Sequence, residues 1–249
     1  VDRQGAQVLF MPTPLQLMKY VGVIVATAKV FRAAGVDWTL SSNHFDASNF
    51  GLFIGDDAAA RTMAGRVMGE AERLGVKTLV ITECGHAYRV AKLFASGWLQ
   101  RKFPFAVKSV LEVAADLARS GRLRLRPEAN REPVTYHDPC QLARNGGVIE
   151  EPRLLLGAAC ADFREMTPNR SANWCCGGGG GLAAVTEPEL VEVRVRSGRV
   201  KADQVRATGA TLLATACDNC KLTLEGLSER HGLGVQVVGV MELLARALA

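Results

Sequence analysis

No apolar run in this 249-residue chain approaches the ~20 residues that span a bilayer. Residues 21–30 come nearest, but the run is short and bracketed by Lys19 and Lys29. No signal-peptide pattern opens the chain at Val1, so a cytoplasmic location is expected. Aromatic residues make up only 6%, and 30 basic against 25 acidic residues leave a net charge of +5. The basic residues are spread out, apart from Arg122, Arg124 and Arg126, and no recognition motif accompanies them, so no nucleic-acid partner is expected. Seven cysteines are too few, and odd in number, for a disulfide scaffold. There is no ferredoxin-type Cys-x-x-Cys-x-x-Cys run. The glycine run at 177–181 is not followed by Gly-Lys-Ser/Thr, which excludes a phosphate-binding P-loop.

What the chain does have is organised around Trp174-Cys175-Cys176 and the five glycines that follow. Glycine weakens the interior of a helix or strand by roughly 0.5–1 kcal/mol per residue. Such a run makes sense where backbone must come close to something other than a side chain. Cys140 upstream and Cys217-Asp218-Asn219-Cys220 downstream complete the spacing Cys140-x34-Cys175-Cys176-x40-Cys217-x2-Cys220. Iron is held by thiolates, and a five-thiol, glycine-lined loop predicts an iron–sulfur centre. An ordinary cubane takes four ligands, whereas adjacent cysteines point in different directions and suit two irons of an extended cluster. The alternative is a structural zinc site using four of the five, although zinc usually takes two close Cys-x-x-Cys pairs. A redox dithiol at Cys217 and Cys220 alone leaves the other three unexplained.

Along the chain, strands are predicted at 6–10, 36–40 and 77–82, with helices at 15–34, 56–74, 87–95 and 107–120. A Pro- and Arg-rich linker at 121–133 follows, and the order begins again. Strands are predicted at 134–137, 163–166, 211–215 and 235–238, and helices at 152–161, 188–208, 218–231 and 241–248. This alternation implies an α/β fold built from βαβ units with a mostly parallel sheet. The stretch 71–84 lays over 204–217, pairing Cys84 with Cys217 and Ala87 with Cys220; 10–14 lays over 136–140, and 38–43 roughly over Trp174 and the paired cysteines. The expected domains are therefore two pseudo-symmetric Rossmann-like halves, 1–127 and 128–249, of which the first has lost four of the five thiols. Cys140 and Cys217 each fall just after a predicted strand, in the carboxyl-end loops where α/β folds collect their sites.

His137-Asp138-Pro139-Cys140, Trp174-Cys175-Cys176-Gly177-Gly178-Gly179-Gly180 and Cys217-Asp218-Asn219-Cys220 resemble the cysteine-rich CCG domain family. That family includes the B and D subunits of heterodisulfide reductase, glycolate oxidase iron–sulfur subunits, and the K subunit of the membrane complex linked to dissimilatory sulfite reductase. The first-half stretch Glu83-Cys84-Gly85-His86-Ala87-Tyr88-Arg89 is most similar to that K subunit. The resemblance covers essentially the whole chain. It implies a tandem CCG repeat with a degenerate first copy, and one noncubane [4Fe–4S] cluster per chain held by Cys140, Cys175, Cys176, Cys217 and Cys220.

The resemblance further implies a heterodisulfide-reductase-like oxidoreductase in sulfur-linked electron transfer. It would reduce or form a disulfide of a thiol substrate, or a trisulfide on a small sulfur-carrier protein, by one-electron steps. Electrons would come from a ferredoxin-like domain or subunit, because the chain has no such run of its own. A membrane quinone-reactive subunit, implied by the family, would place the chain at the inner face of the membrane. The other readings are an electron-transfer or scaffold subunit without substrate chemistry, and a zinc-stapled binding module. Cys84 and His86 are the candidate catalytic residues, a thiol and a proton donor beside the substrate sulfur; otherwise they are relics of the repeat. His137 is expected to pack or hydrogen-bond behind the ligands, and Cys160 to be a small buried hydrophobe.

Overall fold

The computed structural model describes residues 1–179 and 181–249; Gly180, within the glycine run, lies outside the described residues. The chain divides into two units, Val1–Leu123 and Arg124–Ala249. In the first, β1 (Val8–Met11), β2 (Trp38–Thr39), β3 (Thr78–Ile81) and β4 (Ala106–Ser109) form a parallel sheet in the order β2-β1-β3-β4. In the second, β5 (Val134–His137), β6 (Phe163–Arg164), β7 (Leu212–Thr215) and β8 (Gln236–Gly239) form a parallel sheet in the order β6-β5-β7-β8. Helices connect the strands in both, so the fold is α/β with two Rossmann-like halves, as the alternation predicts.

The central strands β1, β5 and β7 are short and buried along their whole length, as strands of a parallel sheet covered on both faces are. In the first unit Phe10, Phe31 and Trp38 pack edge to face, with centroids 5.8–6.3 Å apart. Local chemistry sets the element ends. Asp56 caps the helix Asp57–Arg73 by accepting from Ala59 N at 2.9 Å. Gly75 and Gly209, at φ +63° and +61°, end the helices that lead into β3 and β7.

The structure corrects several boundaries. The predicted helix at 107–120 opens as strand β4, paired Thr78↔Ala106 to Ile81↔Ser109, and the helix Val110–Arg119 begins only after a Ser109–Glu112 capping box. The helix expected at 15–34 is two, Pro14–Met18 and Val21–Ala33, and a short helix, Phe50–Ile54, lies in the predicted loop. The helix expected at 188–208 breaks at Gly198 into Pro188–Ser197 and Arg199–Thr208. A Cβ at Gly198 would sit 2.5 Å from Leu227 Cδ2, so the bend brings backbone onto Leu227. The pairings Val8↔Trp38 and Val134↔Phe163 make Phe163, not Trp174, the counterpart of Trp38. The paired cysteines therefore sit in a long loop after β6. No helix among the described residues is long and apolar enough to cross a membrane.

In the second unit the strand order reverses between β5 and β7, so the loops at their carboxyl ends diverge and leave a crevice, the usual place for a site in such sheets.

Candidate metal centre

Both strands at that crevice deliver a thiol. β5 runs into Asp138-Pro139-Cys140, and β7 into Ala216-Cys217, where Cys217 caps the helix Asp218–Arg230. Cys220 lies in the first turn of that helix, and the loop after β6 contributes Cys175 and Cys176. The Sγ atoms of Cys176 and Cys220 are 3.2 Å apart. Cys175 is hydrogen-bonded to Cys140 on one side and to Cys176 on the other, and Cys217 to Cys220. All five sequence-predicted thiols thus form one connected array. None of the seven cysteines is in a disulfide. Cys160 stays outside the array; it ends the helix Glu150–Ala159, buried, with its thiol pushed up to about 11 chiefly by that burial.

The glycines shape the loop around the sulfurs. Gly177 N and Gly178 N point at Cys175 Sγ and Cys176 Sγ, at 3.3 and 3.5 Å. Gly177 is in the left-handed region at φ +88°. A Cβ on Gly178 would collide with Thr223 Oγ1 and lie 3.2 Å from Asn219 O, so only glycine lets the loop seat on the helix that carries Cys220.

Protons are shared unequally along the array. Hydrogen bonds from Cys140 and then Cys176 hold the Cys175 thiol far below the usual thiol range. Cys140 is raised in return by Cys175, Cys176 is pushed up to about 12 by Cys175, and Cys220 is raised by Cys176. Cys175 is also the exposed member, Cys140 is half-buried, and Cys176, Cys217 and Cys220 are buried. The array therefore has a deep end and an open edge.

Around it stand groups that the cysteine spacing does not announce. His137 is fully buried, and a ring nitrogen lies within 4.8 Å of Cys176 Sγ and Cys220 Sγ. Burial, then the charge of Lys201, keeps its ring neutral, and Nε2 has no hydrogen-bond partner among the described residues. Lys201, 1% exposed, donates to Asn173 Oδ1 at 2.5 Å and approaches Met166 Sδ at 3.7 Å. Asp138 is gripped through both oxygens by Arg153 at 2.8 Å each, and Arg153 reaches Glu165 at 2.6 Å. This brace holds the turn leading to Cys140. Lys201 and Arg153 lie on faces of amphipathic helices; their burial beside apolar neighbours at helical spacing is the only sequence signal they leave.

Five thiols, amide donors aimed at two of them, an unpartnered imidazole nitrogen and a buried cation fit an anionic, thiolate-held iron–sulfur group. A single tetrahedral ion leaves one thiol over.

Cys84 and His86 lie in the first unit, after β3, in the place that Cys217 and its helix occupy after β7. Cys84 caps the helix Gly85–Arg89 and is buried. His86 Nε2 donates to Asn49 O at 2.9 Å, and its ring stacks on Phe53 with centroids 3.8 Å apart. Burial lowers its pKa below the ordinary histidine value of about 6.5. Between the two values the unfolded chain binds the extra proton, so stability is held above pH ~6.5 and lost as pH falls below it. His86→Gln is expected to remove part of that slope, up to about 1.4 kcal/mol per pH unit, in denaturation curves taken between pH 5 and 7.

Residues 134–225 match the family described as the cysteine-rich domain, CCG. The matched residues all lie in the second unit. The chain as a whole is similar to the D subunit of dihydromethanophenazine:CoB–CoM heterodisulfide reductase. The identity is 33% over 230 residues with the Methanosarcina mazei protein, covering 90% of this chain and 54% of that one. With the Methanosarcina barkeri protein it is 30% over 193 residues, covering 77% and 46%. An Hdr-like menaquinol oxidoreductase iron–sulfur subunit from Archaeoglobus profundus is 27% identical over 292 aligned positions, covering 100% of this chain and 52% of that one. The chain spans about half the length of the curated relatives it matches. Among solved structures, glutamate racemase from Francisella tularensis aligns with 99% of this chain and 79% of its own at 12% identity and a TM-score of 0.41, too loose a likeness to bear on activity.

Proposed function

We propose that the chain is an iron–sulfur redox subunit that carries one noncubane [4Fe–4S] cluster on Cys140, Cys175, Cys176, Cys217 and Cys220, and that reduces or forms a sulfur–sulfur bond there. The observation that carries this reading is the unbroken array of five thiols with Cys175 at its exposed edge. When bound, the cluster supplies electrons one at a time. Cleavage of a disulfide consumes two electrons and two protons and releases two thiols; the reverse direction returns them. The protein's part is to fix the sulfurs, to line them with the Gly177 and Gly178 amides, and to keep one edge open to a substrate. The heterodisulfide in the names of the Methanosarcina relatives supports a disulfide as substrate class. A trisulfide on a small carrier protein is the corresponding proposal for the sulfur-metabolism branch.

Electrons are proposed to arrive from a ferredoxin-like domain or subunit, with a quinone-reactive membrane subunit beyond it; the menaquinol in the Archaeoglobus relative's name supports the latter. Peripheral attachment at the inner face of the membrane follows from those partners. Cys84 and His86 are proposed as a thiol and a proton donor to the reacting sulfur.

Anaerobically purified protein tests the reading. About four irons and four sulfides per chain are expected, with a paramagnetic signal that changes when a disulfide substrate is added. A colourless protein with stoichiometric zinc overturns it. A cluster that titrates but ignores every disulfide and trisulfide offered reassigns the chain to electron transfer alone.

A further inference from the structure

Lys201 has no part in thiol ligation, yet it is a fully buried charge beside the site. The helix Arg199–Thr208 buries it together with Ala202 and Val205. Taking an ammonium out of water costs several kcal/mol unless an opposite charge meets it, and lysine is almost never fully buried unpaired. Among the described residues no carboxylate lies within ion-pair distance of Lys201. Asp138, whose field it feels, is already matched by Arg153 through both oxygens. Its direct partners, Asn173 Oδ1 and Met166 Sδ, are neutral. The thiols are the remaining acidic groups beside it: Met166, which it approaches, packs in one buried cluster with Cys176, Cys217 and Cys220, and the ionised forms of Cys176, Cys220 and Cys175 are those its charge favours.

The first unit provides an internal control. Counting back eight residues from the left-handed glycine that ends each helix, one residue off the overlay of 71–84 on 204–217, gives Lys201 before Gly209 and Val67 before Gly75. Val67 is buried and apolar. The half that lost its thiols holds no cation at this position. A lysine kept only to prop Asn173 would be a poor choice, because a glutamine can donate the same hydrogen bond without burying a charge.

We propose that Lys201 is the resident counter-ion of the site. Its ammonium balances the negative charge gathered on the five sulfurs and raises the reduction potential of the cluster they hold. This rests on the cluster proposed above. A fixed positive charge favours the reduced, more negative form. At an effective dielectric of about 20, one unit charge within ~10 Å changes the reduction equilibrium by about tenfold, which is about 59 mV for one electron.

The test uses the full chain purified anaerobically as wild type, Lys201→Met and Lys201→Arg, with iron content and a redox titration followed by paramagnetic resonance. The methionine variant is expected to keep its iron and to be about tenfold harder to reduce, and the arginine variant to titrate close to wild type. A methionine variant that titrates with the wild type, or is easier to reduce, overturns the proposal. If Lys201→Met takes up no iron, Lys201→Gln repeats the measurement with the Asn173 hydrogen bond kept. Neutral variants that fold by circular dichroism but stay empty while arginine loads support the counter-ion; an empty arginine variant overturns it, since shape rather than charge then matters. Wild-type protein without iron fails the functional reading itself, so the two failures are distinguishable.

Discussion

Replacing Cys176 with serine empties the site. Cys176 is the middle of the array, bonded to Cys175 on one side and to Cys220 on the other, and only 2% exposed. Serine offers a hydroxyl that is neither a soft ligand nor ionised near neutral pH, so the bridge between the loop after β6 and the helix after β7 is lost. Iron is expected to fall to background, with any disulfide reductase activity, while the circular dichroism spectrum stays that of the folded chain. Cys160→Ser is the control: buried outside the array, it should leave the iron content unchanged. Full iron in Cys176→Ser would show that the array is not the binding site.

The second large effect is on stability. Arg153→Met leaves Asp138, 1% exposed, as a buried carboxylate without its counter-charge. Breaking a buried pair from one side costs about 3–5 kcal/mol, because the remaining charge stays desolvated. Chemical denaturation should register that loss, and Asp138→Asn combined with Arg153→Met should recover most of it. Removing Arg101 from Glu72, a pair of similar length but far more exposed, should cost no more than about 1 kcal/mol. Because Asp138 stands two residues before Cys140, the destabilised variant should also bind iron less well.

These two effects differ in how far the sequence announces them. The five cysteines stand out by spacing alone, and the repeated strand–helix order is enough to set two parallel sheets with Cys140 and Cys217 at strand ends. Strand β4 does not stand out, because four residues are too few to show a period before the helical pattern of Val110–Arg119 takes over. The bend at Gly198 is hidden as well. There the backbone meets Leu227, about thirty residues away in the chain, and no local pattern carries that contact. Lys201 and Arg153 look like ordinary surface charges until tertiary packing closes over them. Trp174 misleads in the opposite sense: it resembles Trp38 as a letter, yet the strand pairing gives that place to Phe163.

The crevice between β5 and β7 also sets when the proposed metal site is complete. Its sulfurs belong to three separate loops, and the last pair arrives with the helix Asp218–Arg230, after the other three in chain order. A nascent polypeptide stopped before Cys217 holds Cys140, Cys175 and Cys176 but lacks the two thiols that complete the array. On the proposed reading, the inorganic part has its full set of sulfur ligands only once the start of that helix has been made, late in chain order.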